Sequence, residues 1–311
     1  MLQAYYTEKK TKTGHDYRQS TVDGANSLMQ RIFPTWLPLS IMEIANLKPD
    51  VVISRYKQVE DSFGPFNARN AFTILKSIAN YATVKYPSAM DRNPFTVLTL
   101  PGMNIMRRVN ARTECLQGND FKQFFLAIQT YHPTICDCFL FCLYHGLRRA
   151  EAESLRWQDV DLQKEELLIP DTKNRQALHV PLSTQSWEIL ERRRGFAPEG
   201  NPYVFPTVRD DITKTGHVQL SAATLRDRTG LDLTVHALRR TFITIGRKLK
   251  LHADTDKLTN HVDSSVAGRF YDATGVDDLR DALQRIDNEI ERLMLEGVGA
   301  KVVAMPSRRS I

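Results

Sequence analysis

Residues 234–242 read Thr-Val-His-Ala-Leu-Arg-Arg-Thr-Phe, and their spacing predicts a helix with a charged face. His236 and Arg239 are three residues apart, so on a helix they lie on the same face within a single turn. Leu238 and Phe242 would turn towards the interior and fix that helix. A histidine and an arginine on a helix are also typical of a solvated face. The pair therefore indicates a functional site only in combination with other motifs.

Two further stretches supply that context. Residues 146–161 read Gly-Leu-Arg-Arg-Ala-Glu-Ala-Glu-Ser-Leu-Arg-Trp-Gln-Asp-Val-Asp, and residues 260–272 read Asn-His-Val-Asp-Ser-Ser-Val-Ala-Gly-Arg-Phe-Tyr-Asp. In their order and spacing, the three stretches resemble the signature of the tyrosine recombinases, the phage-integrase family. The specific motifs cover about 40% of the chain. The resemblance implies an α+β catalytic domain that is mainly helical with a small antiparallel sheet.

The resemblance also implies which residues take part in catalysis. Matched position by position, the catalytic set is Arg148, Lys173, His236, Arg239, His261 and Tyr271. Glu151 matches the acidic residue that supports the first arginine. Asn260 stands where glycine is commoner. His261 and Tyr271 are ten residues apart where nine is usual, but the tyrosine before Tyr271 is Tyr203 and none follows it.

These residue types suit the breakage of a phosphodiester bond without a metal ion. Arginine offers a fixed fork of donors to phosphate oxygens and keeps its charge. A tyrosine phenolate can form a reversible phosphate ester, and a lysine on a turn can protonate the departing 5′-oxygen. A histidine with a pKa near neutrality can hydrogen-bond the phosphate and move a proton. We therefore expect neither a cofactor nor a metal site.

The net charge is concentrated at one end of the chain. Residues 1–110 hold 14 lysines and arginines against 8 aspartates and glutamates, so the whole net charge of +6 lies there. Residues 1–90 show helical spacing without strand signals, and resemble the SAM-like helical core-binding domain of the same family, which clamps DNA. The candidate DNA contacts are Lys9, Lys10, Lys12, Arg18, Arg107 and Arg108, with a solvated helix start as the alternative for the first four.

The remaining domain boundaries follow from changes in composition and in the periodicity of apolar residues. Residues 91–113 are basic, punctuated by proline and glycine, and predict an interdomain linker. The catalytic domain is expected at 114–275, with short antiparallel strands between residues 160 and 182. Residues 276–296 predict an amphipathic helix that we expect to dock on a neighbouring protomer, with packing in its own protomer as the alternative. Residues 297–311 predict a disordered tail.

The cysteines and the absence of apolar runs indicate the compartment. Cys136, Cys138 and Cys142 share one apolar helix, which favours buried reduced thiols over a zinc site. No run approaches eighteen apolar residues, and the first residues lack a secretory pattern. We therefore expect a cytoplasmic protein that associates with the bacterial nucleoid when bound to DNA, and no membrane partner.

The sequence thus predicts a site-specific DNA recombinase, an integrase of a phage or other mobile element. The family resemblance implies a homotetramer on double-stranded DNA attachment sites, a 3′-phosphotyrosine intermediate and a Holliday junction, with a host DNA-bending or directionality factor as a further partner. Three alternatives stay open: a Xer-like resolvase of DNA dimers, a type IB topoisomerase, and a DNA-binding accessory protein that has lost its chemistry.

Overall fold

The computed structural model describes most of the chain as two compact units, Met1–Ala111 and Arg112–Ile311. The described residues are 2–11, 14–36, 38–103, 105–106, 109–110, 112–172, 175–196, 198, 200–208, 216–261 and 275–296. The fold is mainly helical with one small antiparallel sheet, which confirms the predicted fold class.

The first unit is a helical bundle around an aromatic core. Its elements are α1 (Leu2–Glu8), α2 (Gln19–Ile32), α3 (Ile41–Ala45), α4 (Pro49–Lys85) and a 3-10 helix (Pro94–Thr99). α4 is interrupted at Gly64, where φ is +81°, directly before Pro65. The rings of Phe33, Trp36, Tyr56, Phe72 and Phe95 fill the core, with centroids 5.0 to 6.3 Å apart.

Part of the segment predicted as an interdomain linker packs inside this unit. Phe95, Val97 and Leu98 are buried in the core of the first unit. Asn93 holds the segment, because its side-chain amide donates to the Lys76 carbonyl at 2.9 Å and its side-chain oxygen accepts from the Phe95 N–H at 2.9 Å. A 3-10 helix places apolar side chains without an α or β period, so the pattern was not visible in the sequence.

The second unit contains the three motif stretches. Its elements are α5 (Asp120–Ile128), α6 (Pro133–His145), α7 (Arg149–Glu153), a 3-10 helix (Trp157–Asp159), β1 (Val160–Asp161), β2 (Glu166–Ile169), β3 (Leu178–Pro181), α8 (Thr184–Arg194), α9 (Ala222–Thr229), α10 (Val235–Lys248), α11 (His252–Leu258), a 3-10 helix (Asp277–Leu279) and α12 (Arg280–Leu295). The strands form an antiparallel sheet in the order β1-β2-β3, with Leu167 opposite Val180.

α6 is the central helix of this unit and is buried along nearly its whole length. It packs against α8, α10 and α12. Cys136, Cys138 and Cys142 are free thiols buried on it, as predicted. Burial raises the pKa of the Cys136 thiol to about 12, so this group stays protonated at neutral pH. Among the described residues, no helix is long and apolar enough to cross a lipid bilayer.

Within the single chain α12 packs on its own unit, and its docking on a neighbouring protomer stays a prediction. Leu283, Ile286 and Ile290 are fully buried in the core that α12 shares with α5, α6 and α10. The contact is also polar, since the buried carboxylate of Asp287 accepts a hydrogen bond from the Ser183 hydroxyl at 2.5 Å. Removing α12 would expose this apolar face, which in the single chain is covered by the protein's own helices.

The close approach of α10 and α11 allows a first prediction. A β-carbon at Gly246 would overlap the hydroxyl oxygen of Thr255 and lie 3.1 Å from Cδ1 of Ile286. Gly246→Ala should therefore lower the free energy of unfolding of the second unit by about 1–3 kcal/mol through overpacking. Gly24→Ala is the matched control, because Gly24 lies in α2 with open space around it. This variant should be more stable than the unaltered chain by about 0.5–1 kcal/mol. Urea unfolding measures both, and an unchanged Gly246→Ala midpoint would contradict the contact.

Candidate active site

The side chain of Arg239 joins the ends of two helices in the second unit. Only 2% of the residue is exposed. Its Nη1 donates to the carbonyl oxygen of Gly146, which caps α6, at 2.8 Å, and its Nη2 donates to the carbonyl oxygen of Thr259, which caps α11. Burial, followed by the charge of Arg148, lowers the pKa of Arg239 to about 10, so it remains a cation at neutral pH. This guanidinium therefore joins the stretches 234–242 and 146–161 to the residue that directly precedes the stretch 260–272.

Gly146 is required by the geometry of this contact. Its φ is +58°, a left-handed conformation that residues with side chains rarely adopt. A β-carbon there would lie 2.6 Å from Cδ1 of Phe242 on α10. The glycine therefore lets α6 end directly against α10, with its carbonyl oxygen within reach of Arg239.

Arg148 follows two residues later and is held by Glu151. Its Nη1 donates to Oε1 of Glu151 at 2.8 Å, and its backbone N–H donates to Oε2 of the same carboxylate at 2.9 Å. The Glu151 side chain is buried, whereas 20% of the Arg148 side chain remains exposed. The contact expected between the two residues is thus present, and it fixes a partly exposed guanidinium beside the buried one.

We call the Arg239 guanidinium with its two acceptors, the carbonyl oxygens of Gly146 and Thr259, the Arg239 clamp. His261 lies two residues after Thr259. Its backbone N–H donates to the Asp256 carbonyl at 2.8 Å, and its Nδ1 lies 3.6 Å from Oδ1 of Asp256. Partial burial and then the charge of Arg239 lower the pKa of His261, the Asp256 carboxylate raises it, and Arg148 lowers it further. The imidazole and the two guanidinium groups therefore share one electrostatic environment.

His236 begins the helix that carries Arg239. It is the second residue of α10 and is exposed, whereas Arg239, one turn later, is buried. The sequence spacing is thus realised on one helix, with one side chain accessible to a ligand and the other inside the protein.

Asn260 connects this region to the turn between β2 and β3. Its Nδ2 donates to Oγ1 of Thr172 at 2.9 Å. Lys173, the residue that follows Thr172, lies outside the described residues, as does Tyr271. The structure therefore brings together Arg148, Arg239 and His261 around two helix ends. It also places Thr172, in the β2–β3 turn, in contact with Asn260.

Arg149 and Arg240 face elsewhere, as their helical positions predict. Arg149 donates to the Leu220 carbonyl at 3.2 Å. Arg240 donates from Nε to the Glu114 carbonyl at 2.8 Å. Next to it, the Thr241 hydroxyl accepts from the Leu116 N–H at 2.9 Å. These two bonds attach the beginning of the second unit to α10.

The predicted DNA contacts of the first unit are only partly described. Lys9 lies at the end of α1 with its Nζ 5.1 Å from the centroid of the Tyr5 ring. Lys10 forms an ion pair with Asp16, and Arg18 is the residue that precedes α2. Lys12, Arg107 and Arg108 lie outside the described residues. The pairing of Lys10 reduces the positive charge that it offers to a phosphate.

A separate cavity of about 680 Å³ opens beside β1 and β2, away from the predicted residues. Its lining includes Trp157, Leu168 and His179, whose Nε2 lies 3.0 Å from Oε2 of Glu166. The predicted catalytic residues that the structure describes, Arg148, His236, Arg239 and His261, do not line it. Where the chain is described, no three histidine, cysteine, aspartate or glutamate side chains are grouped to hold a metal ion.

Sequence reasoning missed the groups that hold the site together. The acceptors of Arg239 are main-chain carbonyls, which leave no mark in the sequence. Asp256 carried no signal either, because its contact with His261 depends on how α11 ends. Asn260 did carry one, since asparagine tolerates the left-handed conformation that it adopts here, with φ +49°.

Comparisons with known proteins agree with this architecture. The model of the Phage integrase family matches residues 114–274. A putative integrase/recombinase of Haemophilus influenzae is 36% identical over 67 residues, which are 22% of this chain and 18% of that protein. Prophage integrase IntF of Escherichia coli K12 is 24% identical over 193 residues, 57% of this chain and 39% of that protein. The chain thus spans less than half the length of these curated relatives.

Solved structures share the fold at low sequence identity. A lambda integrase dimer bound to a COC′ core site superposes with a TM-score of 0.64 and 14% identity, covering 88% of this chain and 97% of that one. A lambda integrase tetramer bound to a Holliday junction gives 0.63 and 14%, over 85% and 77%. The Tn1549 transposon integrase with circular intermediate DNA gives 0.60 and 15%, over 91% and 99%.

The environment of His261 generates a second prediction. Asp256 raises the pKa of His261, so Asp256→Asn should lower that pKa further and keep the imidazole neutral to a lower pH. Asp254→Asn is the matched control, since Asp254 is on the same helix and is not among the charges that act on His261. Titration of the histidine ring protons by NMR measures both variants. A pKa of His261 that rises in Asp256→Asn would show that the carboxylate does not face the imidazole.

Proposed function

Because the chain belongs to the phage integrase family, we propose that it is a site-specific DNA recombinase, the integrase of a phage or other mobile element. The observation that carries the proposal is the cluster formed by Arg148, Arg239 and His261 around the Gly146 and Thr259 carbonyls. Two guanidinium groups, one of them paired with a carboxylate, and an imidazole form a site rich in hydrogen-bond donors. Such a site suits a phosphate whose negative charge grows as it reacts.

In the proposed reaction the two arginines bind the scissile phosphate. Two of the five N–H donors of Arg239 bond to main-chain carbonyls, and Arg148 is fixed by Glu151. Neither guanidinium needs to reorganise when charge develops on the non-bridging oxygens, because protein contacts already orient both. His261 and His236 hydrogen-bond the same phosphate and transfer a proton at neutral pH.

Tyr271 is the proposed nucleophile and Lys173 the proposed acid. The phenol of Tyr271 gives its proton to one of the two histidines as its oxygen attacks phosphorus, the bond from phosphorus to the 5′-oxygen breaks, and the ammonium group of Lys173 gives its proton to that oxygen. The products are a 3′-phosphotyrosine and a free 5′-hydroxyl. Attack by a 5′-hydroxyl of the partner DNA reverses the step and leads to a Holliday junction.

The proposed substrate is double-stranded DNA with attachment sites, and the proposed assembly on it is a homotetramer. The likeness to a lambda integrase tetramer on a Holliday junction supports this assembly. Lys9, Lys10, Lys12, Arg18, Arg107 and Arg108 are the proposed contacts to the DNA backbone, whose charge supplies most of the affinity. A host DNA-bending or directionality factor completes the proposed complex, which works on bacterial DNA in the cytoplasm.

A suicide substrate tests the proposal and identifies the nucleophile. Nicked duplexes with candidate attachment sequences from DNA next to the gene should trap a covalent adduct with the unaltered chain. Tyr271→Phe should bind the same DNA with unchanged affinity but form no adduct, because only the attacking oxygen is lost. Tyr203→Phe is the matched control and should keep full adduct formation. Denaturing gels with labelled DNA measure the adduct.

The outcomes separate the alternatives. If no candidate DNA forms an adduct, the chain is a binding protein and the proposed chemistry is wrong. Relaxation of supercoiled plasmid without a defined site would indicate a topoisomerase. Conversion of plasmid dimers to monomers at a single site would indicate a Xer-like resolvase. An adduct with the Tyr271→Phe variant would move the nucleophile elsewhere.

The role of Lys173 can be tested through the leaving group. A substrate with sulfur in the 5′-bridging position has a leaving group that scarcely needs a proton. Lys173→Ala should lose on the order of 100-fold or more in cleavage of ordinary DNA and cleave the sulfur substrate at nearly the rate of the unaltered chain. Lys164→Ala, in the β1–β2 turn, is the control and should cleave both substrates normally. A sulfur substrate that restores nothing to Lys173→Ala would exclude this lysine as the acid.

A further inference from the structure

The side chain of Asn260 makes a contact that a glycine at this position could not make. Its amide donates to the hydroxyl oxygen of Thr172 at 2.9 Å, although the two residues are 88 positions apart in the sequence. Thr172 is fully buried. A hydrogen bond to a buried hydroxyl holds its donor and acceptor in a defined relative position, because a displaced partner leaves a buried polar group unpaired.

The backbone at Asn260 explains why this residue type is suited to the position. With φ at +49°, the residue adopts the left-handed conformation, which glycine and asparagine tolerate best. Either residue would let the chain turn from α11 towards His261. Only asparagine adds an amide that reaches the turn between β2 and β3.

Thr172 in turn closes the base of that turn. Its hydroxyl donates to the Gln176 carbonyl at 2.7 Å, and its carbonyl accepts from the Arg175 N–H at 2.9 Å. The hydroxyl thus receives a hydrogen bond from Asn260 and donates one across the turn. Both described ends of the turn, Thr172 and Arg175, are therefore tied to the residue that follows the α11 cap.

The same short segment also holds the buried arginine. Thr259 accepts from Arg239, Asn260 donates to Thr172, and His261 follows directly. Three successive residues thus connect the cationic cluster to the turn in which Lys173 is the next residue after Thr172. A change at Asn260 would release the base of the turn without touching the arginine contacts.

We propose that Asn260 is a positioning residue that holds the base of the β2–β3 turn against the Arg239 clamp. It thereby sets how well the departing 5′-oxygen is protonated. The inference rests on the proposed recombinase function and on Lys173 as its acid. The left-handed backbone at residue 260 could be formed by glycine as well, so the proposed role belongs to the asparagine side chain.

The test compares ordinary DNA with the 5′-bridging sulfur substrate. Asn260→Gly keeps the backbone conformation and removes the amide, so it should slow cleavage of ordinary DNA on the order of 10- to 100-fold, as expected for a misplaced catalytic group. Cleavage of the sulfur substrate should stay within about 2-fold of the unaltered chain, because that leaving group scarcely needs the acid. A merely structural defect would slow both substrates alike.

Substitutions at Thr172 provide an independent arm if Asn260→Gly fails to fold. Thr172→Val removes the acceptor with little change in shape and should show the same selective loss, whereas Thr172→Ser keeps the hydroxyl and should restore cleavage. The double variant of Asn260→Gly and Thr172→Val should be no slower than Thr172→Val alone, since that variant already removes the contact to Asn260 together with the bond to the Gln176 carbonyl. Lys250→Gly is the matched control for glycine at a left-handed position, with φ +63° in the original residue.

The outcomes distinguish this inference from the proposed function. If the unaltered chain forms no adduct, the recombinase proposal fails and the inference fails with it. If the unaltered chain cleaves DNA and the sulfur substrate rescues Lys173→Ala, but Asn260→Gly cleaves ordinary DNA normally, only the inference is overturned. Equal slowing of both substrates by Asn260→Gly and Thr172→Val would also overturn it.

Discussion

The arrangement of the candidate active site depends on the buried guanidinium of Arg239. Removing a guanidinium from water costs several kcal/mol unless hydrogen bonds compensate. Here the carbonyls at the C-terminal ends of α6 and α11 accept from Arg239, at the ends where helix dipoles favour positive charge. Each accepting residue precedes a predicted catalytic side chain by two positions, Gly146 before Arg148 and Thr259 before His261. The clamp that satisfies the buried charge therefore also sets the separation of the groups around it.

Sequence reasoning recovers this arrangement only where side chains carry the pattern. The spacing of His236 and Arg239 predicts their shared helix, and Glu151 lies where a partner for Arg148 was expected. Every residue has a main-chain carbonyl that can accept a hydrogen bond, so the residue types at positions 146 and 259 do not show that these carbonyls bind Arg239. The bond from Asn260 to Thr172 was equally hidden, because it joins segments 88 residues apart and depends on a left-handed backbone. Local patterns predict local geometry, and contacts across the fold require the fold.

Two segments show what periodicity alone leaves open. Residues 94–99 fall in the predicted linker, because proline and irregular spacing hide a 3-10 helix whose apolar side chains fill the first core. The stripe on α12 was recognised as an apolar face that must be covered, but a sequence cannot say which surface covers it. The structure shows that α5, α6 and α10 do, and that Ser183 pairs with Asp287 beneath the helix. Periodicity identifies a buried face more readily than it identifies the partner.

The position of α12 in the chain has a consequence for protein synthesis. The second unit draws part of its core from a helix made after α6 and α10, since Ile286, Ile290 and Met294 complete the packing around those two helices. The ribosome delivers α6 and α10 well before that helix, so their apolar faces stay open while translation continues. The first unit has a core of its own and can close as soon as residue 98 is available. The two units thus mature at different times, and chaperones would meet the nascent second unit with its largest apolar surface still uncovered.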